Sequence, residues 1–335
     1  MKTKIKSILG SAFFALLLVF ASSCSSDGKS RSLPSSTGTL HEVLVVSTID
    51  TFSTSEIGIK MKGLFEVEML GLMNSEKDFI VADVNEKSFN SILQKHSKII
   101  LINGNDLTVN KPTYEVMRNK WAKEQYVIRL NAANEKDLLA LWENKGAEIK
   151  AQFHEFEMQR EAIRNRSKAN ANFGKVIHEN FGVKMSIPKR FRLATQKDNF
   201  LWFRSETPST SEGIMIYKEP YTHDSTFTYD YIVGKRNKFT KENIPGPSEG
   251  SYMIVNPIFP KTQKEVNMDG AYAMETRGLW KLENDYMGGS FLSYTVYNEK
   301  TQEIITLEAF IFAPNNDKRA YMLDFEGILR TMRFE

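Results

Sequence analysis

Apolar residues follow two rhythms along this chain, and the change from one to the other divides it. Up to residue 130 the apolar positions come in short separate runs: His41–Ser47 (HEVLVVS), Asp78–Val84 (DFIVADV), Lys98–Ile102 and Gln125–Leu130. Val- and Ile-rich runs of this length, bounded by polar residues, read as buried strands. The mixed apolar segment Ile57–Leu72 between the first two predicts a helix. Asn85 is placed to cap a second helix, with Phe89, Ile92 and Leu93 on one face. The alternation βαβαβ predicts a helix-covered sheet.

From Asn134 to about Arg166 the spacing becomes helical. Leu138, Trp142, Ile149, Phe153, Phe156 and Ile163 recur at intervals of three, four and seven, as one buried face requires. Asn134 can cap this helix, and Gly146 weakens it by about 1 kcal/mol relative to Ala. A shorter helix follows with Phe173, Ile177 and Phe181 inward and Gly182 as its stop.

Beyond residue 182 short strands dominate. The runs are Val183–Ile187, Phe200–Phe203, Ile214–Tyr217, Tyr252–Val255, Ala271–Thr276, Phe291–Tyr297 and Ile304–Phe312. Asp269-Gly270 is a two-residue hairpin signal. Phe227 to about Glu242 reads as a helix. Ala320–Phe334 reads as a closing amphipathic helix carrying Met322, Leu323, Phe325, Ile328, Leu329 and Met332. The expected fold is α+β in two domains. Residues 40–166 form an N-terminal βαβαβ-type α/β sandwich ending in the long helix. Residues 167–335 form a mainly antiparallel sheet flanked by helices.

The first residues stand outside this pattern. Lys2, Lys4 and Lys6 precede a short apolar stretch, Ile8–Phe20, and then Ala21-Ser22-Ser23-Cys24. This is the layout of a secretory signal, residues 1–23, with a stretch too short to span a bilayer comfortably. Residues 24–39 are rich in Ser, Gly and Pro and read as a flexible tether. Cys24 is the sole cysteine among 335 residues, so no disulfide framework, zinc-thiolate site or cysteine nucleophile is available beyond it. Lys+Arg number 44 and Asp+Glu 41. Removing three signal lysines leaves 41 against 41, so no nucleic-acid footprint is expected.

Candidate chemistry is sparse. Gly246-Pro247-Ser248-Glu249-Gly250 fits G-x-S-x-G, but a nucleophile elbow runs from strand to helix. Here a helix precedes and a strand follows, Pro247 removes a backbone N–H, and nothing places His178 or His223 nearby. Ser186-Ile187-Pro188-Lys189 fits S-x-x-K, yet Pro188 prevents the helix that motif needs. His154, Glu157 and Glu161 share a helical face that could ligate a metal, and a solvated charged face is the expectation. The zincin H-E-x-x-H is absent, with Met158 where its second His would stand, so no metal is expected; no phosphate-cradling motif occurs, so no cofactor is expected. What remains is three loops: 206–213, 246–250 and 286–290. If a sheet brings them together, Arg277, Trp280, Tyr252 and Tyr286 become candidate ligand-binding anchors, with Ser248, Glu249, Gly288 and Gly289 beside them. The alternative is hairpin geometry plus core aromatics.

The small residues before Cys24 resemble the lipobox of bacterial lipoproteins, in which the cysteine is lipidated and becomes the new N-terminus. The rest of the chain resembles an uncharacterised family of Bacteroidetes lipoproteins, a domain of unknown function. The residues that carry the likeness include Leu33-Pro34, Glu42–Val46, Trp121-Ala122, Asn199-Phe200 and Glu206-Thr207-Pro208. In the second half it is carried by Gly246-Pro247-Ser248, Gly250–Met253, Arg277-Gly278-Leu279-Trp280 and Met287-Gly288-Gly289. The C-terminal order resembles the PsbP-type α/β/α sandwich, a fold that mostly hosts non-catalytic binding and assembly factors. The lipobox resemblance implies a protein held to the membrane through Cys24 in the cell envelope; with a single acid near that cysteine, the periplasmic face of the outer membrane is the expected location and surface exposure is the alternative. Its expected partner is an envelope protein or a small ligand. A hydrolase using Ser248 or carboxylates, and a structural subunit of a lipoprotein assembly, are the alternatives.

Overall fold

A computed structural model describes residues 32–104, 106–260 and 262–335. Cys24, the signal stretch and the first part of the tether lie outside the described residues. Ser35–Glu335 forms one compact unit with two sheets at its centre. The fold class is α+β, with a mostly parallel N-terminal sheet and an antiparallel C-terminal one.

The N-terminal sheet holds β1 (Glu42–Ser47), β2 (Ile80–Asn85), β3 (Lys98–Asn103), β4 (Thr113–Arg118) and β5 (Tyr126–Asn131), in the order β2-β1-β3-β5-β4. The pairs β1–β2, β1–β3 and β3–β5 are parallel, and β4 closes the edge antiparallel to β5. Helix α1 (Glu56–Phe65) and the long helix α2 (Glu135–Ser167) cover one face. Asn134 caps α2 by accepting a 3.0 Å hydrogen bond from the Asp137 N–H. Leu138, Trp142, Ile149, Phe153 and Phe156 are buried along it as the spacing predicts, whereas Ile163 is exposed because α2 has by then run past the N-terminal core. Gly146 is required there: a Cβ would stand 2.9 Å from the Trp142 ring and 3.0 Å from Leu64.

Two expectations for this half are corrected, and one strand was not expected. No α-helix follows Asn85. Residues 86–97 hold only two three-residue 3-10 turns, and Asn90 breaks the segment by taking the Ile92 and Leu93 N–H groups onto its side chain. The helix over Ile57–Leu72 stops at Phe65. Residues 66–77 instead form a strap that leaves the N-terminal half, buries Met69 in the C-terminal core and returns. Strand β4 has no sequence signal because an edge strand with mostly exposed residues lacks the apolar run of its neighbours.

In the second half, helix α3 (Ala171–Phe181) ends at Gly182 in the left-handed conformation, φ +65°. The strands are β6 (Val183–Lys184), β7 (Arg192–Lys197), β8 (Phe200–Glu206), β9 (Ser211–Pro220), β10 (Tyr252–Val255), β11 (Thr262–Met268), β12 (Ala271–Glu283), β13 (Gly288–Asn298), β14 (Glu303–Phe312) and β15 (Arg333–Phe334). The main sheet runs β10-β12-β13-β14-β9-β8-β7, with β11 also on β12. Asp269 and Gly270 both take positive φ at the β11–β12 turn, as the hairpin signal requires. Helix α4 (Tyr229–Asn243) covers one face over a core containing Trp280, Phe291 and Phe310. The opposite face carries α3 and α5 (Arg319–Leu329). The closing helix ends at Leu329, and its expected tail instead forms β15, paired with β6.

The halves are tied together within this unit by α2 lying along α5 and by the strap. Glu76 of the strap accepts from the N–H groups of Lys318 (2.8 Å) and Arg319 (2.9 Å), capping α5.

Candidate functional site

The expected loop cluster exists only in part. Pairing of β10 with β12 sets the 246–250 and 284–290 loops side by side. The Ser248 hydroxyl donates to Asp285 Oδ2 at 2.5 Å, and Asn284 Nδ2 to the Gly250 carbonyl at 3.3 Å. The β8–β9 turn, within 206–213, lies at the same end of the sheet but is separated from them by β14. Tyr286 and Glu249 are exposed and Tyr252 half-buried.

The anchors expected at this rim are elsewhere. Trp280 is 3% exposed, packed edge-to-face on Phe310 in the core, because its side chain points to the α4 side of β12. Gly288 and Gly289 have a packing reason: a Cβ on Gly289 would stand 1.8 Å from the Ile311 carbonyl oxygen, and one on Gly288 2.9 Å from that of Trp280. Arg277 projects to the opposite face, half-buried and engaged in ion pairs.

Those pairs lead to a second location. Arg277 Nη2 stands 2.7 Å from Glu326 Oε2 of α5, and its Nε 2.7 Å from Glu275 Oε1. Tyr294 donates to Glu275 at 3.0 Å, and Arg330 Nη2 lies 2.9 Å from Glu326 Oε1. His154 of α2 places Nε2 2.8 Å from Glu326 Oε1 and Nδ1 3.1 Å from His41 Nε2. His41 Nδ1 reaches Asp78 Oδ1 at 3.1 Å, and its ring stacks on Phe79 at 3.9 Å. Lys150 Nζ completes the row 2.8 Å from Asp78 Oδ2. The contacts Arg277–Glu326, His154–Glu326, His41–His154, His41–Asp78 and Lys150–Asp78 each cross between elements that the sequence keeps far apart.

Three imidazole contacts run along the row, His41–Asp78, His41–His154 and His154–Glu326, and the ring tautomers are set by these partners and by the Arg330 guanidinium 3.4 Å from His154 Nε2. Burial lowers the His41 pKa, partly offset by Asp78. Burial works to raise Asp78, but His41 and Lys150 outweigh it and hold the carboxyl at about 2. Burial likewise opposes ionisation of Glu326, and His154, Arg277 and Arg330 overcome it, holding that carboxyl well below its usual range.

The row floors a cleft of about 690 Å³ between the halves. Its walls are Leu64, Val67, Met69, Leu70, Phe79 and Leu323, and Val67 and Leu70 are exposed at its mouth. Gly71 lets the strap press on the floor: at φ +81°, its Cβ position lies 3.0 Å from Arg277 Cβ.

The face carrying His154, Glu157 and Glu161 is therefore not the expected solvated one. Glu157 is buried against Lys98 and accepts from Arg160 Nη1 at 3.1 Å, and Glu161 is buried beside Gly327 of α5. Among the described residues no three His, Asp or Glu side chains converge as a metal would need. His41, Asp78, Lys150, Glu326 and Arg330 were not singled out by the sequence. One signal was available: Glu326 is an acid within the apolar face of α5, and buried acids require partners.

A protein of this build, a parallel sheet and an antiparallel sandwich with a charged cleft between them, is defined by fold without implying an activity. Residues 36–166 match the model of a domain of unknown function (DUF8532), and residues 170–331 match that of a second domain of unknown function (DUF4837). The two matches support an uncharacterised domain family. No curated protein matches the chain. Among solved structures, the Saccharomyces cerevisiae Ran-binding protein Mog1p is similar at 10% identity, over 45% of this chain and 89% of Mog1p, with a TM-score of 0.31. That likeness is too low to carry an argument. Among the described residues no helix is long and apolar enough to cross a membrane.

Proposed function

We propose that this protein is a lipid-tethered, non-catalytic binding module of the bacterial cell envelope that takes its ligand in the cleft between its halves. The tether rests on the signal-like stretch ending in Ala21-Ser22-Ser23-Cys24 and on the polar residues that follow. Lipidation at Cys24 would anchor the chain, since each buried CH₂ contributes about 0.8 kcal/mol. The outer membrane, on its periplasmic face, is the location we favour.

The observation that carries the binding role is the cleft. Its volume of about 690 Å³ falls in the range of ligand sites, and apolar walls stand over a few convergent charged groups. Those groups are paired with one another, so the floor is preorganised. General-acid catalysis by the cleft floor and nucleophilic catalysis by Ser248 are disfavoured on chemical grounds. Asp78 and Glu326 are held ionised, so neither is a proton donor near neutrality. Ser248 has a carboxylate for its partner where a serine nucleophile needs a base such as histidine.

The test is a photo-crosslinking residue at Leu70, at the cleft mouth, in cells carrying the full chain. Specific adducts from Leu70 that are absent from exposed Lys175 support the reading. Identical profiles from the two positions overturn the cleft as the binding site. Cys24→Ala should release the protein from membrane fractions and block processing. A variant that stays membrane-bound at mature size refutes the tether.

A further inference from the structure

The N-terminal sheet contains a second cavity, remote in origin from the cleft. β1 and β3 lie side by side inside the sheet, and the chain leaves β1 for β2 on one side but leaves β3 for β4 on the other. Connections departing in opposite directions open a crevice at the carboxyl ends of β1 and β3, the position at which open α/β sheets receive ligands. A cavity of about 400 Å³ lies there. It exists because residues 86–97 form short turns where a helix would have covered this face of the sheet.

The lining identifies the kind of ligand. Val46 and Leu101 supply an apolar floor. Phe89 and Trp121, 5.4 Å apart and edge-to-face, supply an aromatic wall. Polar groups come from Thr48, Asn103 and Asn131 at the strand ends and from the carboxylates of Glu86 and Asp106. Asp106 Oδ1 already accepts from the Thr108 N–H at 3.1 Å and Asn131 Nδ2 donates to Thr113 Oγ1 at 3.3 Å, so each has only its remaining polar atoms to offer. The Thr48 Oγ1 is buried and makes no hydrogen bond among the described residues, so it retains both a donor and an acceptor. Planar carboxamides and carboxylates hold neighbouring hydroxyls in pairs, and the C–H face of a sugar ring packs on an aromatic wall.

Charge decides against the phosphorylated ligands that often occupy such crevices. Glu86 and Asp106 face a single lining guanidinium, Arg129, and Arg129 is engaged by Glu115 at 3.2 Å. Lys120 stands nearby but is held 5.0 Å over the Trp121 ring. We infer that this cavity binds a neutral carbohydrate of mono- to disaccharide size, with Trp121 as its wall and Asp106, Asn131 and Thr48 as its hydroxyl partners. The inference is independent of the cleft.

Tryptophan fluorescence provides the test. Of the four tryptophans, Trp142, Trp202 and Trp280 are buried and Trp121 is half-buried beside the cavity. Titrating the full chain with glucose, N-acetylglucosamine and maltose should give a saturable change with at least one of them. Asp106→Ala, at a partly exposed position, should weaken that binding about tenfold, the loss of one hydrogen bond to a charged group. Thr48→Val should weaken it as well, and calorimetry of both variants guards against optical artefacts. The inference is overturned if no neutral sugar gives saturation, if Asp106→Ala and Thr48→Val bind as the parent does, or if inorganic phosphate or a sugar phosphate displaces the neutral sugar at lower concentration.

Discussion

His154 and Glu326, 172 positions apart in the chain, meet at 2.8 Å and join the long helix of the N-terminal half to the last helix of the molecule. Through His41, 3.1 Å away on the other side of His154, the contact continues to Asp78 and the first sheet. The interface between the halves is therefore electrostatic as well as apolar, and we expect its stability to depend on pH.

The sign of that dependence follows from His41. Burial sets its folded pKa below 6.5, so the folded state binds fewer protons than the unfolded one. Its contribution is present above 6.5 and is lost as pH falls through the lowered value. Glu161, raised by burial to about 7, acts in the opposite sense: its contribution is complete below 4.5 and fades as pH rises through 7. The informative measurement is the difference between parent and His41→Phe, which keeps the stack on Phe79. Urea midpoints of the parent should fall more steeply than those of the variant between pH 7 and 5. Parallel curves would remove His41 from the account. Asp78, held at about 2, adds a loss confined to strong acid.

A second buried pair predicts a stability pattern. Arg236 of α4 and Glu308 of β14 meet at 2.7 Å, both almost fully buried, with the guanidinium 4.4 Å from the Phe291 ring centre. Arg236→Met strands the carboxylate and should cost about 3–5 kcal/mol by chemical denaturation. Combining it with Glu308→Leu should recover most of that loss, because two apolar side chains leave no buried charge. A double variant as unstable as the single one would contradict this.

Trp280 and Tyr286 separate core from surface. Trp280→Ala should cost about 3–5 kcal/mol, as expected for a buried aromatic. Tyr286→Ala, at a fully exposed tip, should stay within about 0.5 kcal/mol of the parent. Thermal melts of the two variants decide it, and a stable Trp280→Ala protein would return this residue to the surface.

Glu76 should matter beyond its own segment. Glu76→Ala leaves the Lys318 and Arg319 N–H groups without their cap and should cost about 0.5–2 kcal/mol. Hydrogen exchange should rise both in the strap and in the first turn of α5. Faster exchange in the strap alone would mean that the cap does not couple them.

Periodicity and local chemistry by themselves determined the elements that satisfy their own requirements. α2 could be read from its buried face and its Asn134 cap, the β11–β12 hairpin from Asp269-Gly270, and the end of α3 from Gly182, because each depends on residues within a few positions of one another. Edge strands such as β4, whose apolar content is low, were not legible. Neither was the strap, whose apolar residues Met69 and Leu72 look helical but serve a core belonging to the other half. The site was least legible. His41, Asp78, His154, Arg277 and Glu326 carry no spacing motif, since their proximity follows from laying α2 along α5 and pressing the strap on β12. Which face of β12 points inward likewise decided that Trp280 fills a core while Arg277 becomes part of the cleft floor. A charged side chain in an apolar run announces that it needs a partner, but only packing can supply one from a hundred or more residues away.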